Sequence, residues 1–327
     1  MAIIPNRKYF LGFSLILVAL SYAALGRWGL RLGIDYTGGS LSEVEFLGTR
    51  APASSDIQKR LTAEGFDVSS LQPKGERSFF IRMKSLDETD HQRYLDTLNT
   101  SFVASVIDTP SARPATATTT TTPAMASAAA GTQAWSEKRF ESIGPTIGEE
   151  LRTKSLWAII IAIGAIVLYI TYSFRKVSRP VASWKYGVCA FVALVHDVSI
   201  PTGVMALMGH LRGWEVDILF VTALLTILGF SIHDTIVVYD RIRENLLKSA
   251  NKNFEEIANA SVNQTMARSI NTSLTTIIVL AALALMGGAS TRHFTLILII
   301  GIFFGTYSSI FVASPLLVIW NRLSKKA

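Results

Sequence analysis

Six long apolar runs dominate the pattern along the chain, at 9–25, 156–174, 186–208, 216–239, 270–286 and 294–320. About 20 apolar residues carry a helix across a hydrocarbon core of about 30 Å, so each run can span a bilayer with some tilt. The first, preceded by Arg7 and Lys8, admits a second reading as a signal peptide, because Tyr22, Ala23 and Ala24 loosely resemble a cleavage site. Its length exceeds the usual apolar core of such a peptide, which favours a retained first helix. Between the first two runs the period changes. LSEVEFL (41–47) alternates as a strand does, and 54–65 reads as a helix with Ile57 and Leu61 on one face. SFFIRM (78–83) is a second strand. Residues 87–102 suit a helix whose acidic first turn, Asp87, Glu88 and Asp90, complements the helix dipole, and a last strand is expected at 138–143. Alternating strands and helices suggest a small α+β sandwich. The expected fold is an α-helical polytopic membrane protein of six transmembrane helices, with one small α+β extracytoplasmic domain between helices 1 and 2.

The expected divisions are 1–29 (N-terminus and first helix), 30–153 (α+β domain) and 154–327 (five-helix bundle with a cytoplasmic loop at 240–267). Within the second, 109–133 is a tract of Thr, Ala, Ser and Pro with almost no charge or large side chain. It buries too little apolar surface to offset its ordering entropy, so a disordered insertion is expected. In 240–267, Phe254, Ile257, Ala258, Ser261 and Val262 recur at helical spacing behind Glu255 and Glu256, which fits either a short amphipathic helix on the membrane surface or a plain connector.

Composition agrees with the membrane reading: 50% of residues are apolar and 17% charged, outside the range of an ordinary soluble domain. The net charge of +7 concentrates beside the apolar runs. With the N-terminus inside, the cytoplasmic segments hold Arg7, Lys8, Arg175, Lys176, Arg179, Lys185, Arg241, Arg243, Lys248, Lys252, Arg268, Arg322, Lys325 and Lys326, whereas the opposite short loops hold only Arg212 and Arg292. This bias places both termini in the cytoplasm and assigns the basicity to topology rather than to nucleic acid. The single cysteine, Cys189, lies within an apolar run and supports no disulfide or redox chemistry. The sequence contains no GxxxxGK[ST] phosphate loop and no HxxxH metal spacing, so ATP hydrolysis, metal catalysis and an enzymatic role are not expected.

Ionisable groups within a span cost about 2.5 to 3.5 kcal/mol on insertion scales and are functional candidates for that reason. His196 and Asp197 fall in the middle of span three, shortly before Pro201 and Gly203. His233 and Asp234 lie in span four, about 9 Å inside its cytoplasmic end as marked by Asp240. Arg268, Asn271, Thr272 and Thr275 form one polar face opening span five, at the depth expected for Asp234. An arginine there opposes the desolvation of the carboxylate and would poise it for proton exchange, or pair with it statically to fix helix packing. His196 with Asp197 is read either as a supporting polar site or as interhelical glue. In span six, Gly301, Gly305, Ser309 and Ala313 recur every fourth residue, a small-residue face for close helix packing.

Five blocks occur in order: GIDYTGGSLSEVEF (33–46), GPTIGEELR (144–152), HDV (196–198), GFSIHDTIVVYDRIREN (229–245) and ARSINTSLTT (267–276). With six spans, they resemble the SecF family, the smaller membrane partner of SecD in Sec protein export. The resemblance covers nearly the whole chain. It implies a half-unit of the resistance-nodulation-division transporter superfamily in the cytoplasmic membrane, pairing with SecD to give twelve spans. It further implies use of the proton motive force to draw a preprotein through SecYEG after SecA-driven insertion, with YajC and YidC as further partners and no bound cofactor. Proton passage would fall on Asp234, Arg268 and Thr272, supported by His196, Asp197, His233 and Asn271. Asp35, Gly38 and Gly39 belong to the motif opening the exported domain. Two features depart from the family: His233 stands where an Asn is usual, replacing an amide or adding a titrating group, and the 109–133 tract is additional. The competing readings are a proton-driven exporter half-unit for a small solute and a non-transporting scaffold.

The loop-charge assignment predicts that a single cysteine at Ser127 reacts with an impermeant thiol reagent from outside intact cells and one at Ser249 does not. The reverse labelling pattern would overturn it.

Overall fold

The computed structural model describes residues 2–47, 51–102, 135–175, 181–248 and 253–324. The expected insertion at 109–133 lies outside the described residues. The chain forms two units, one of residues 1–33 with 152–327 and one of residues 34–151.

The α+β unit begins with a short helix α2 (Ile34–Thr37), following the first long helix α1 (Arg7–Trp28). Then come β1 (Gly39–Phe46), α3 (Ser54–Ala63), β2 (Val68–Lys74), β3 (Ser78–Met83), α4 (Glu88–Phe102) and β4 (Trp135–Ile143). The sheet is antiparallel in the order β2-β3-β1-β4, with a register shift between Glu43 and Val44 where β1 meets β4. Alternation decides which face is buried. Val44 and Phe46 of β1 and Phe79, Ile81 and Met83 of β3 form one core with Ile57 and Leu61 of α3 and Tyr94, Leu98 and Phe102 of α4. The strand β2 was not foreseen, because VSSLQPK has no apolar alternation; it lies at the sheet edge, where Pro73 is tolerated.

The two glycine blocks of the sequence meet in this unit. Gly38 has φ +70°, and a Cβ there would stand 2.7 Å from Pro145 Cα; one on Gly148 would stand 2.8 Å from Gly38 N. Gly39, at φ +121°, would place a Cβ 2.9 Å from Met83 O. Any larger residue forces the backbones apart in a conformation L-residues avoid. Asp35 sits in the first turn of α2, just ahead of this contact.

The helical unit contains α1 and then α5 (Pro145–Ser173), α6 (Ser183–Arg212), α7 (Ile218–Lys248), α8 (Phe254–Met286), α9 (Ala289–Ser308), a π-helical stretch (Ser309–Ala313) and α10 (Ser314–Ser324). Among the described residues, six helical spans are long and apolar enough to cross a membrane, the last running from Thr291 to Leu323 through the π turn. α6 and the α9–α10 span are the most enclosed, while α1, α5 and α8 present broad outer faces.

Among its described residues, 240–267 supplies the ends of two long helices rather than a separate surface helix. α7 continues to Lys248 and α8 begins at Phe254, and Phe254, Ile257, Ala258, Ser261 and Val262 are buried against the bundle as a continuation of α8. The amphipathic period was real, but the face it marks turns to neighbouring helices rather than to lipid headgroups. Into the same core go Ile3 and Ile4, whose amides both donate to Asn259 Oδ1 (3.0 and 3.1 Å), while Arg7 pairs with Glu255 (2.6 Å).

α7 and α9 run in the same direction, and their contact repeats every four residues. A Cβ on Gly301 would collide with Ile227 Cδ1, and one on Gly305 would lie 3.0 Å from Ser231 Cβ. The Ser309 and Thr235 hydroxyls are 2.8 Å apart, and Tyr239 Oη donates to Ala313 O (3.3 Å). Residues four apart drift about 40° round a straight α-helix, and the slower winding of the π stretch offsets part of that drift.

Gly301→Ala should therefore destabilise the bundle by about 1–3 kcal/mol through overpacking. Gly12→Ala, where an added Cβ meets nothing within 4 Å, should be neutral or stabilising by up to ~1 kcal/mol. Unfolding midpoints in a denaturing detergent series test the difference in sign.

Candidate functional site

The parallel α7–α9 contact carries the polar interior of the bundle. Asp197 on α6 is 0% exposed. His196 Nδ1–H donates to its Oδ1 (2.9 Å), and Ser231 of α7 and Ser308 of α9 (2.8 Å) both donate to its Oδ2. Three charge-assisted donors from three helices make this carboxylate a knot rather than an open group. On the far side of the imidazole, His196 Nε2 is buried without a partner among the described residues, and its ring stacks at 6.3 Å on Tyr307.

Asp234 lies one helical turn beyond Ser231 on α7 and is 3% exposed. Its Oδ2 accepts from Thr306 Oγ1 (3.2 Å), and Thr306 in turn shares a hydrogen bond with Ser273 of α8. Ser269, one turn before Ser273, is buried within electrostatic reach of the carboxylate but short of hydrogen-bond geometry. Asp234 is thus enclosed by three helices and held by fewer donors than Asp197. A buried carboxyl with so few partners is a candidate for proton exchange.

The same helices place the other polar residues expected at the site. Arg268 and Asn271 are exposed on the outer face of α8, and Thr272, half-buried, donates to Arg268 O (2.9 Å) in its own helix. Among the described residues Arg268 makes no ion pair with Asp234. The face of α8 turned to Asp234 is Thr265, Ser269 and Ser273, displaced by one residue round the helix from the stripe expected to meet it. The i, i+3, i+4 rule found a polar face correctly, but α8 has two, and its packing residues Ala258 and Val262 orient the serine face inward. His233 is exposed on the outside of α7.

Sequence reasoning missed Ser231, Ser269, Ser273, Thr306 and Ser308. Hydroxyl residues are common in membrane helices and satisfy their own backbone, as Ser273 does on Ser269 O (2.9 Å) and Ser308 on Gly305 O (3.0 Å). The run Thr306-Tyr307-Ser308-Ser309 within an apolar span was the available signal.

The fold and this interior define a polytopic helical membrane protein with buried carboxylates and a separate α+β unit. Residues 124–323 match the family model described as "Protein export membrane protein SecD/SecF, C-terminal". The chain is 37% identical to protein translocase subunit SecF of Anaerolinea thermophila, over 98% of this chain and 94% of that protein. It is 39% identical to SecF of Thermobaculum terrenum, over 96% and 91%. A crystal structure of SecDF from Thermus thermophilus, described as a translocon-associated membrane protein, superposes with TM-score 0.73 at 31% identity, covering 98% of this chain and 38% of that one. The chain belongs to the SecF family of protein translocase subunits.

Removing the Asp197 carboxylate strands His196 Nδ1 and the Ser231 hydroxyl in a buried interior, while Ser308 keeps Gly305 O. Asp197→Ala should cost about 3–5 kcal/mol of bundle stability and Ser308→Ala only about 1 kcal/mol. Detergent unfolding of the two variants tests this, and equal losses would show that Asp197 does not hold the knot.

Proposed function

We propose that the chain acts with SecD as an accessory subunit of the Sec translocase in the cytoplasmic membrane, both termini cytoplasmic and the α+β unit outside. There it uses the proton motive force to promote preprotein movement through SecYEG. It catalyses no covalent reaction; its work is conformational. The observation that carries the reading is Asp234, a carboxylate within a span near its cytoplasmic end, buried and held chiefly by the Thr306 hydroxyl. One charge crossing the membrane potential is worth about 2.3 kcal/mol per 100 mV, comparable with the few kcal/mol that separate two packed conformations.

The outer face of α8 supports SecD as partner. Arg268 and Asn271 are exposed there at the opening of the fifth span, where lipid tails offer them no partner, which favours cover by a protein surface. The Thermus thermophilus relative named SecDF, 43% identical over 57% of this chain, is covered by it over only 24% of its own length, leaving room for a second half. In that setting Arg268 and Thr272 face the partner, and the proton on Asp234 decides whether Arg268 is drawn toward α7. The roles of YajC and YidC follow from the family resemblance alone.

Asp234→Asn mimics the protonated group and cannot cycle. It should give a stable, SecD-bound protein in which the gradient-dependent part of preprotein translocation into vesicles is lost, and Arg268→Met should behave alike. Full gradient stimulation in an assembled Asp234→Asn complex would rule out the proton-carrier role and leave Asp234 as a packing residue.

A further inference from the structure

Four consecutive side chains of α9 and the π turn reach four different helices. Thr306 donates to Asp234 of α7 and bonds Ser273 of α8. Tyr307 Oη donates to the Phe10 carbonyl of α1 (3.0 Å). Ser308 donates to Asp197 of α6, and Ser309 Oγ donates to Ser231 O of α7 (3.2 Å). The Phe10 carbonyl lies within α1, where its second lone pair is free to accept. Around Tyr307 the contact is reinforced by rings: Phe13 of α1 stands edge-on at 5.8 Å, and Phe311 stacks between Tyr307 (4.9 Å) and Phe10 (4.4 Å).

Directly after Ser308 the helix leaves α geometry for the π turn Ser309–Ala313, and Ser314 Oγ caps the widened turn by donating to Ser309 O (3.1 Å). Such turns loosen the hydrogen-bond ladder and occur at functional sites. A rotation of 306–308 is absorbed there instead of being passed to α10. α1 packs closely along α6, where a Cβ on Gly203 would collide with Ser21 Cβ, and polar contacts pin it to the bundle at separate points. It runs on through residues 29–33 into the α+β unit, and among the described residues its polar ties include the Ile3, Ile4 and Arg7 contacts at its start, Tyr307 on Phe10, and Ser199 Oγ on Tyr22 Oη (3.2 Å).

We propose that Tyr307 is a positioning residue for proton-driven transport, coupling the state of Asp234 to the position of α1. In the ionised state of Asp234, Thr306 donates to the carboxylate. When Asp234 takes up a proton, the acceptor that Thr306 used becomes a weaker one, and Thr306 is drawn further toward Ser273, which it already bonds. Tyr307 is the next residue on the same turn, so the rotation moves its hydroxyl relative to Phe10 and shifts α1, the helix that leads to the exported unit. Ser308, bound to the fixed Asp197, is the pivot. The charged or titratable groups acting on Asp234 are His233 on its own helix and Arg268 on α8; the elements packed around it also carry His196 and Asp197 on α6 and Tyr307 on α9. None but Tyr307 touches α1 in a way that links it to α9. This inference rests on the proton reading of Asp234 given above.

The test is a double-mutant cycle in the SecD complex reconstituted in lipid, with spin labels at Gly12 on α1, where a Cβ meets nothing within 4 Å, and at Thr222 on the exposed face of α7. Asp234→Asn should change the label distance, and Tyr307→Phe, which keeps the ring and removes only the hydroxyl, should abolish that change while leaving assembly intact. Gradient-dependent translocation should fall about fivefold in Tyr307→Phe, the population shift expected from one ordinary hydrogen bond. The same distance change with Tyr or Phe at 307, or no change in Asp234→Asn at all, overturns the coupling role. If Tyr307→Phe assembles poorly, Thr306→Val cuts the route at its other end and must also abolish the change. A proton-carrier failure is separable, because it shows as full gradient stimulation in Asp234→Asn, whereas the cycle is read from distances alone.

Discussion

A carboxylate within the hydrocarbon layer must be enclosed by protein, and in this chain that requirement organises the bundle. Asp197 and Asp234 cannot face lipid, so α6, α7, α8 and α9 close round them with hydroxyl side chains. Hydroxyls reach carboxylates only if the helices approach closely, which is why Gly301 and Gly305 lie against α7 at the turns leading to the two acids. The four-residue repeat, the π turn and the serine face of α8 are consequences of the same demand.

The two acids differ in how firmly they are held, and this difference separates scaffold from moving part. Asp197 accepts from a histidine and two serines on three helices, so changing its state means breaking all of them together. Asp234 has Thr306 as its direct partner, with Ser269 and Ser273 close by and the exposed polar face of α8 one residue round the helix. A fixed knot beside a lightly held carboxylate lets one group change charge while the helices that present it stay together. Tyr307, between the donors to the two acids, is where that change meets α1.

Much of this was legible in the sequence, for identifiable reasons. Spans declare themselves by length and apolarity, and β1 by alternation in LSEVEFL, because both signals are carried by the residues themselves. The strand β2 was hidden because an edge strand with Pro73 has little apolar surface to declare. The stretch from Phe254 showed its period but not its destination, since periodicity marks a buried face without saying what buries it. Asp234 and Asp197 stood out because charge in a span is rare, whereas Thr306, Ser308 and Ser231 did not, because a hydroxyl in a helix is ordinary until a carboxylate is found opposite it. The orientation of Arg268 was beyond reach for a related reason. Which of the two polar faces of α8 turns inward is decided by packing at Ala258 and Val262.

The claim that Asp234 exchanges a proton is tested most directly by pH-difference infrared spectroscopy of the SecD complex in lipid, reading the carbonyl stretch of a protonated carboxyl group. Such a band should rise and fall with pH in the unaltered protein, persist in Asp197→Asn and disappear in Asp234→Asn. A band that survives unchanged in Asp234→Asn, or one that is lost instead in Asp197→Asn, would contradict the assignment and move the exchanging site elsewhere.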